Sequence, residues 1–218
     1  MFILLEDILI PFKRDPAAKN IFEVLFTYAG LHAILAYRVA HLLYKMHIPF
    51  IPRLTMSITR FLTGVEIHHG ATIGRRFFID HGMGVVIGET AEIGDDVVLF
   101  QGVTLGGTST HKGKRHPTLG NQVVVGANAV ILGNVKIGDN VRIGAGSVVV
   151  TNIPTNSTVI GVPGRIVKSS ADAVDALKLE HTILPDPIMD RLNKLYNELK
   201  HTEKEIKKYH AEQKAKHK

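Results

Sequence analysis

Cysteine is absent from the 218 residues of this chain. That excludes disulfides, thiolate metal sites and an acyl-cysteine intermediate, and it fits an intracellular protein better than a secreted scaffold. Long apolar runs are missing as well. The stretch 21–44 is interrupted by Glu23, His32, Arg38 and His41, short of what a bilayer crossing requires, and reads as a packed helix. The start MFILLEDILIPF carries Glu6 and Asp7 where a secretory leader needs an unbroken apolar core. The expected compartment is therefore the cytoplasm, with no membrane contact. No basic run interleaved with aromatics occurs, although the formal net charge is +6. From Pro185 onward nine Lys/Arg stand against six Asp/Glu, so half of the excess is a diffuse tail charge. No nucleic-acid partner is expected; a small molecule bearing phosphate suits the remaining charge better. Two catalytic signatures are also lacking. GTSTHKGKR has one residue too many between its glycines, and Arg115 where a P-loop needs Ser or Thr; no GxSxG elbow occurs. With no obvious covalent nucleophile, any group transfer here is expected to be direct, through a ternary complex.

What is present is a repeat of six. Aliphatic residues recur at Ile67, Ile73 and Ile79, at Ile87, Ile93, Leu99 and Leu105, and at Leu119, Val125, Ile131, Ile137, Ile143 and Val149. Six is neither the helix period nor strand alternation. A short strand that sends one aliphatic side chain inward, followed by a Gly or Asn/Asp turn, generates it. Three such strands close a triangular coil, and stacked coils form a parallel β-helix. The repeat breaks twice. The step from Ile79 to Ile87 is eight, just after Asp80-His81, and the step from Leu105 to Leu119 is fourteen, around GGTSTHKGKRHP. Insertions in a solenoid map to loops, and loops carry function.

The flanks read as helical. Asp15 as N-cap and Pro16 at the first helical position open a helical pattern reaching to about Lys45, which IPFIP then stops. Asp186 and Pro187 repeat that start signal ahead of Ile188, Leu192, Leu195, Leu199, Thr202, Ile206 and Tyr209 in four-three alternation. Such a seam suits either a subunit contact or a helix lying on its own β-helix. The expected organisation is an N-terminal helical domain over 1–63, a β-helix over 64–168, and a C-terminal extension over 169–218 with a helix at about 187–212.

Both breaks hold histidine, His81 at the first and His116 at the end of the second. Imidazole is the natural base near neutral pH, and two of them at the only irregularities of the repeat point to a shared role. Glu66 lies fourteen residues before Asp80, and spacing alone leaves open whether it reaches His81. His68 and His69 read as structural or surface residues, and His32 and His41 as helix packing. His111 and His116 have HxxxxH spacing and with His81 could supply three imidazoles to zinc, so a trimeric β-helical zinc carbonic anhydrase is one alternative.

Several blocks are more specific than a hexapeptide pattern: RDPAA, GLHAILAYRVAH, EIHHGATIG, FIDHGMGVVIGET, QGVTLGGT, GKRHP and GVPGRIV. Through them the chain resembles the hexapeptide-repeat acyltransferases, and within these the serine acetyltransferase family. The resemblance implies a mainly β fold, a left-handed parallel β-helix with an N-terminal α-helical domain and a C-terminal helix. That hand runs against the usual right-handed crossover. The implied reaction moves an acetyl group from acetyl-CoA, a co-substrate, to the hydroxyl of L-serine at the start of cysteine biosynthesis; no tightly bound cofactor and no metal are expected. His81 would be the general base and Glu66 the carboxylate that orients it. Asp15 and Asp80 would hold the serine ammonium, Arg115 and His116 of a facing subunit its carboxylate, and Glu89 would line the pocket. Gly107, Thr108, Ala127 and Ala145 would lie along the pantetheine arm, with Arg142 and Lys112 near the nucleotide phosphates. The resemblance also implies a homotrimer, in some members paired into a dimer of trimers, and feedback inhibition by cysteine at the serine site. Members that dock on O-acetylserine sulfhydrylase do so through a terminal isoleucine; this sequence ends in His217-Lys218, so a cysteine synthase complex by that route is not expected. The near alternative is a sugar or other hydroxyl O-acetyltransferase, which would keep His81 without needing Asp15 and Asp80.

Overall fold

A computed structural model describes residues 2–169, 192 and 194–206. The chain separates into two compact units, Met1–His181 and Thr182–Lys218. In the second unit residues 194–206 are helical, and Leu195, Leu199 and Ile206 are exposed along it. Asp186, Pro187, Ile188 and Tyr209 of the heptad pattern lie outside the described residues.

The first unit opens with five helices: α1 (Phe2–Leu9), α2 (Pro11–Arg14), α3 (Ile21–Thr27), α4 (Ala29–Lys45) and α5 (Ile51–Thr63). Among the described residues none is long and apolar enough to cross a membrane. The continuous helix expected from Pro16 to Lys45 is broken. Asp15 closes α2 as its C-cap, and its Oδ1 accepts the Ala17 amide in a turn. The helical path resumes only at Asn20, whose side chain accepts the Glu23 amide at 2.8 Å, and it halts again at Tyr28, in extended backbone. Asp-Pro is as good a turn opener as a helix opener, and the Asn20-to-Glu23 cap outcompetes it.

The rest is three parallel sheets of very short strands. Sheet A stacks β1 (Glu66–Ile67), β4 (Val86–Ile87), β7 (Thr104–Gly106), β10 (Val130–Leu132) and β13 (Val148–Val149). Sheet B stacks β2 (Thr72–Ile73), β5 (Glu92–Ile93), β8 (Thr118–Leu119) and β11 (Lys136–Ile137). Sheet C stacks β3 (Phe78–Ile79), β6 (Val98–Leu99), β9 (Val124–Val125), β12 (Arg142–Ile143), β14 (Ser157–Ile160) and an antiparallel edge, β15 (Arg165–Ser169). The chain visits A, B and C in rotation, so the sheets are the faces of a prism. Register measures the coils. Glu66 pairs with Val86, Val86 with Thr104, Thr104 with Val130 and Val130 with Val148, steps of 20, 18, 26 and 18 residues. The regular coil is thus eighteen, and the two expected insertions, of two and eight residues, account for the others. All thirteen aliphatic residues of the repeat fall in one buried cluster, a continuous ladder in which each side chain contributes roughly 1.5–3 kcal/mol by leaving water.

Helix α4 closes one end of this ladder with Ala33, Ile34, Tyr37 and Ala40 in the same cluster. Tyr37 donates to the Ala71 carbonyl at 2.5 Å, and Arg38 donates to the carbonyls of Ile73 and Gly74 at 2.7 and 2.6 Å while pairing with the fully buried Asp7 at 3.0 Å. His41 stacks on Tyr37 and bonds the His69 carbonyl, and His32 bonds the Leu25 carbonyl. These contacts set the register of the helices against the first coil.

Candidate active site

The short break lies on the edge where sheet C passes to sheet A. Regular coils turn this edge with one left-handed residue each, Gly102, Asn128 and Gly146, in line with Gly84 of the irregular coil and with Gly64 where α5 ends. The two-residue insertion adds two more, His81 at φ +60° and Gly82 at φ +82°. For a histidine this is a strained conformation, and it turns the ring outward, leaving 70% of its side chain exposed. Asp80 beside it is 21% exposed, with Oδ1 3.9 Å from His81 Nε2.

The N-terminal end of α4 comes down on this corner because residue 30 is glycine. A Cβ there would stand 2.2 Å from the Ile79 carbonyl oxygen. Between them Asp15, Thr27, Tyr28, Ala29, Gly30, Ile79, Asp80 and His81 line a cavity of about 240 Å³. Tyr28 donates its hydroxyl to Asp15 Oδ2 at 2.6 Å. Burial first, and then the Asp15 carboxylate, push the Asp80 carboxyl above its usual value, while His81 pulls it back. Two carboxylates facing one half-buried cavity call for a cation. Asp15, Asp80 and His81 are thus brought together as a group; Tyr28 belongs with them although nothing in the sequence singled it out, because only the fold carries it back to Asp15.

The long break lies on the next edge, from sheet A to sheet B. After β4 the chain turns through Gly88, Glu89 and Thr90; after β7 it leaves through Gly107 and Thr108 and returns at His116. Glu89 and Arg115 form an ion pair, which holds the Glu89 carboxyl below its usual value. His116 is buried, 8% exposed, and burial followed by the Arg115 charge holds its pKa down. Its Nδ1 accepts the Thr90 amide at 3.1 Å. His68, beside Glu89, has its pKa lowered to about 4, by burial and then by His69. His111 and Lys112 are exposed in the excursion. Gly107, Thr108, Glu89, Arg115 and His116 therefore form a second group. Thr90, overlooked in the sequence, is its hub.

Four expected residues lie outside these two groups. Glu66, at the start of β1, pairs with Arg60 of α5 at 3.0 Å, and no hydrogen bond or ion pair joins it to His81 among the described residues. Ala127 and Ala145 follow the His81 corner along the same edge. Arg142 sits in sheet C, in register with Val124 and Thr158 and 9% exposed, rather than on either edge. Among the described residues no three His, Asp or Glu side chains are grouped to hold a metal ion; His81 and His116 are on different edges, and the Nδ1 of His116 is engaged.

Residues 116–151 match the family model described as bacterial transferase hexapeptide (six repeats). A serine acetyltransferase of Bacillus licheniformis is 51% identical over 210 residues, covering 96% of this chain and 97% of its own length. The solved serine acetyltransferase of Neisseria gonorrhoeae in complex with serine aligns at a TM-score of 0.73 and 40% identity over 77% of this chain and 68% of that one. The enzyme of Brucella abortus strain S19 in complex with coenzyme A aligns at 0.74 and 40% over 78% and 68%.

Proposed function

Since this chain belongs to the serine acetyltransferase family, we propose that the two edges of its β-helix are the two halves of one acetyl-transfer site. The protein transfers the acetyl group of acetyl-CoA to the hydroxyl of L-serine, giving O-acetyl-L-serine and CoA, the entry to cysteine synthesis. The fold is the left-handed parallel β-helix of that family, with the helical segment N-terminal to it.

The observation that carries the mechanism is the carboxylate pair beside an open histidine, Asp15 and Asp80 around the His81 cavity. A sugar hydroxyl would have no use for two acids there; an amino-acid ammonium has. With the ammonium on Asp15 and Asp80, the serine hydroxyl lies within reach of His81. His81 Nε2 takes the hydroxyl proton as the oxygen attacks the thioester carbonyl, the tetrahedral intermediate collapses, and CoA leaves as the thiolate, which takes up a proton. Holding both substrates accounts for about 7 kcal/mol or more of the barrier when the geometry is right.

The serine carboxylate falls to Arg115 and His116. Because these sit on the following edge of the prism, the reading is that a neighbouring chain supplies them, which is what a three-fold ring of prisms provides: edge against edge, three times over. The pantetheine arm then runs in the cleft, with Ala127 and Ala145 above His81 on one side and Gly107 and Thr108 on the other. Lys112, exposed in the excursion, is the better candidate for the nucleotide phosphates; the buried Arg142 is not supported for that task. Asp80 stays with the ammonium, 3.9 Å from His81 Nε2, and Glu66, the other carboxylate expected to orient the ring, can do so only by leaving Arg60.

The test is release of free CoA from acetyl-CoA in the presence of L-serine with a chelator added, native chain against His81→Ala. Serine-dependent release that survives chelation and collapses in the variant is the expected result. Release that ignores serine, or that is untouched by the substitution, defeats this mechanism.

A further inference from the structure

Thr90 turns every one of its polar atoms toward the end of the excursion. Its amide donates to His116 Nδ1 at 3.1 Å, and its hydroxyl lies 2.9 Å from the same nitrogen. The hydroxyl oxygen accepts the amides of Arg115 and His116 at 3.0 and 3.1 Å, and its carbonyl accepts Lys114 Nζ at 2.7 Å. A hydroxyl has one proton to give and two lone pairs to offer. Here the lone pairs are taken by two amides, so the proton goes to Nδ1. A backbone amide can only donate. His116 Nδ1 must therefore present its lone pair, and the proton of the neutral ring is on Nε2.

That nitrogen is kept clear by two glycines. A Cβ on Gly88 would stand 2.1 Å from Nε2, and one on Gly107 3.1 Å from it. We propose that Thr90 is a positioning residue that locks His116 as an Nε2–H donor to an acceptor oxygen of the substrate, its carboxylate, and so bars His116 from serving as a second base. This rests on the serine-site reading of His116 given above. For His116 to accept a proton at Nε2, the ring would have to carry its own proton on Nδ1, against the Thr90 amide and hydroxyl, surrendering both bonds. The asymmetry with His81, whose ring has no such clamp, gives the two histidines distinct work.

The experiment has two arms on the full chain. With ¹⁵N-labelled histidine, the ring-nitrogen spectrum of the native protein, assigned with His116→Gln, reports the tautomer directly; Nε2–H is expected, and an Nδ1–H ring overturns the proposal. In kinetics, Thr90→Val should raise the KM for L-serine about ten-fold or more, the loss expected when a directed hydrogen bond goes. The KM for acetyl-CoA should stay within about two-fold, and Thr90→Ser, which keeps the hydroxyl, should restore serine binding. A Thr90→Val enzyme with native serine KM, or one in which both substrates suffer alike, overturns the proposal. If the native chain shows no serine-dependent turnover, the serine reading falls instead, while the tautomer still judges the role of Thr90.

Discussion

At the short break His81 keeps 70% of its side chain in solvent, has one carboxylate within 3.9 Å and adopts a left-handed backbone; at the long break His116 is buried to 8%, clamped through Nδ1 and walled by glycines. Two extra residues suffice to push a ring out of a corner. Eight are needed to bring a chain out, turn it and tie it back, and the tie is made by Thr90 and Glu89. The difference matches what each ring has to do. A base must meet its substrate, take a proton and later pass it on, so an open, loosely held ring suits it; a donor must hold one direction, which burial and two fixed bonds provide.

The comparison breaks first at His81. His81→Ala should lower kcat by about 100- to 10,000-fold, the usual worth of a positioned base, with little change in the melting temperature because the ring is exposed; a loss confined to KM would deny it the role of base. Next comes the separation of the halves. His81→Ala and His116→Ala chains, the first lacking the base and the second the carboxylate donor, are mixed and reassociated at a serine concentration where each alone turns over little. If the site is shared between neighbours, about a quarter of sites regain both rings under random assembly; no recovery would return the site to a single chain.

Smaller effects sharpen each half. Asp80→Asn should raise the KM for L-serine about 10- to 100-fold, as expected for a hydrogen bond to a charged group, and leave acetyl-CoA little affected. Gly88→Ala puts a methyl 2.0 Å from the His116 ring, so it should destabilise the protein by about 1–3 kcal/mol, read as a lower melting temperature, and weaken serine binding with it. Last is pH. The Asp80 carboxyl is held above its ordinary value, chiefly by burial, and protonation removes its hold on an ammonium. The KM for serine should therefore climb as the pH falls, beginning above the range of an ordinary aspartate, near 4; in Asp80→Asn that climb should flatten.

Much of this was legible in the residues. The period of six marked every ladder position from Ile67 to Val149, and the two irregular steps marked where His81 and His116 leave the coil. The helical start was not. Asp15-Pro16 carries a start signal, yet Asp15 ends α2 and gives its second oxygen to Tyr28, thirteen residues away. Local propensity cannot see such a partner. Glu66 is a similar case: spacing left open whether it reaches His81, the role of orienting that ring came only from the family resemblance, and in the folded chain it pairs with Arg60 of α5. Thr90 gave no signal, because a threonine after Glu89 looks like any other corner residue until Arg115 and His116 arrive beside it.

The sequence by itself determined the coil, since a six-residue pattern is local and each inward aliphatic side chain has only one way to leave water; it also determined where the coil must open, because an insertion cannot be absorbed by strands of two residues. Only the tertiary structure decided which chemical groups share an edge. That depends on counting faces around a prism and on where α4 can approach through Gly30, and neither distance is written in any stretch of chain short enough to read.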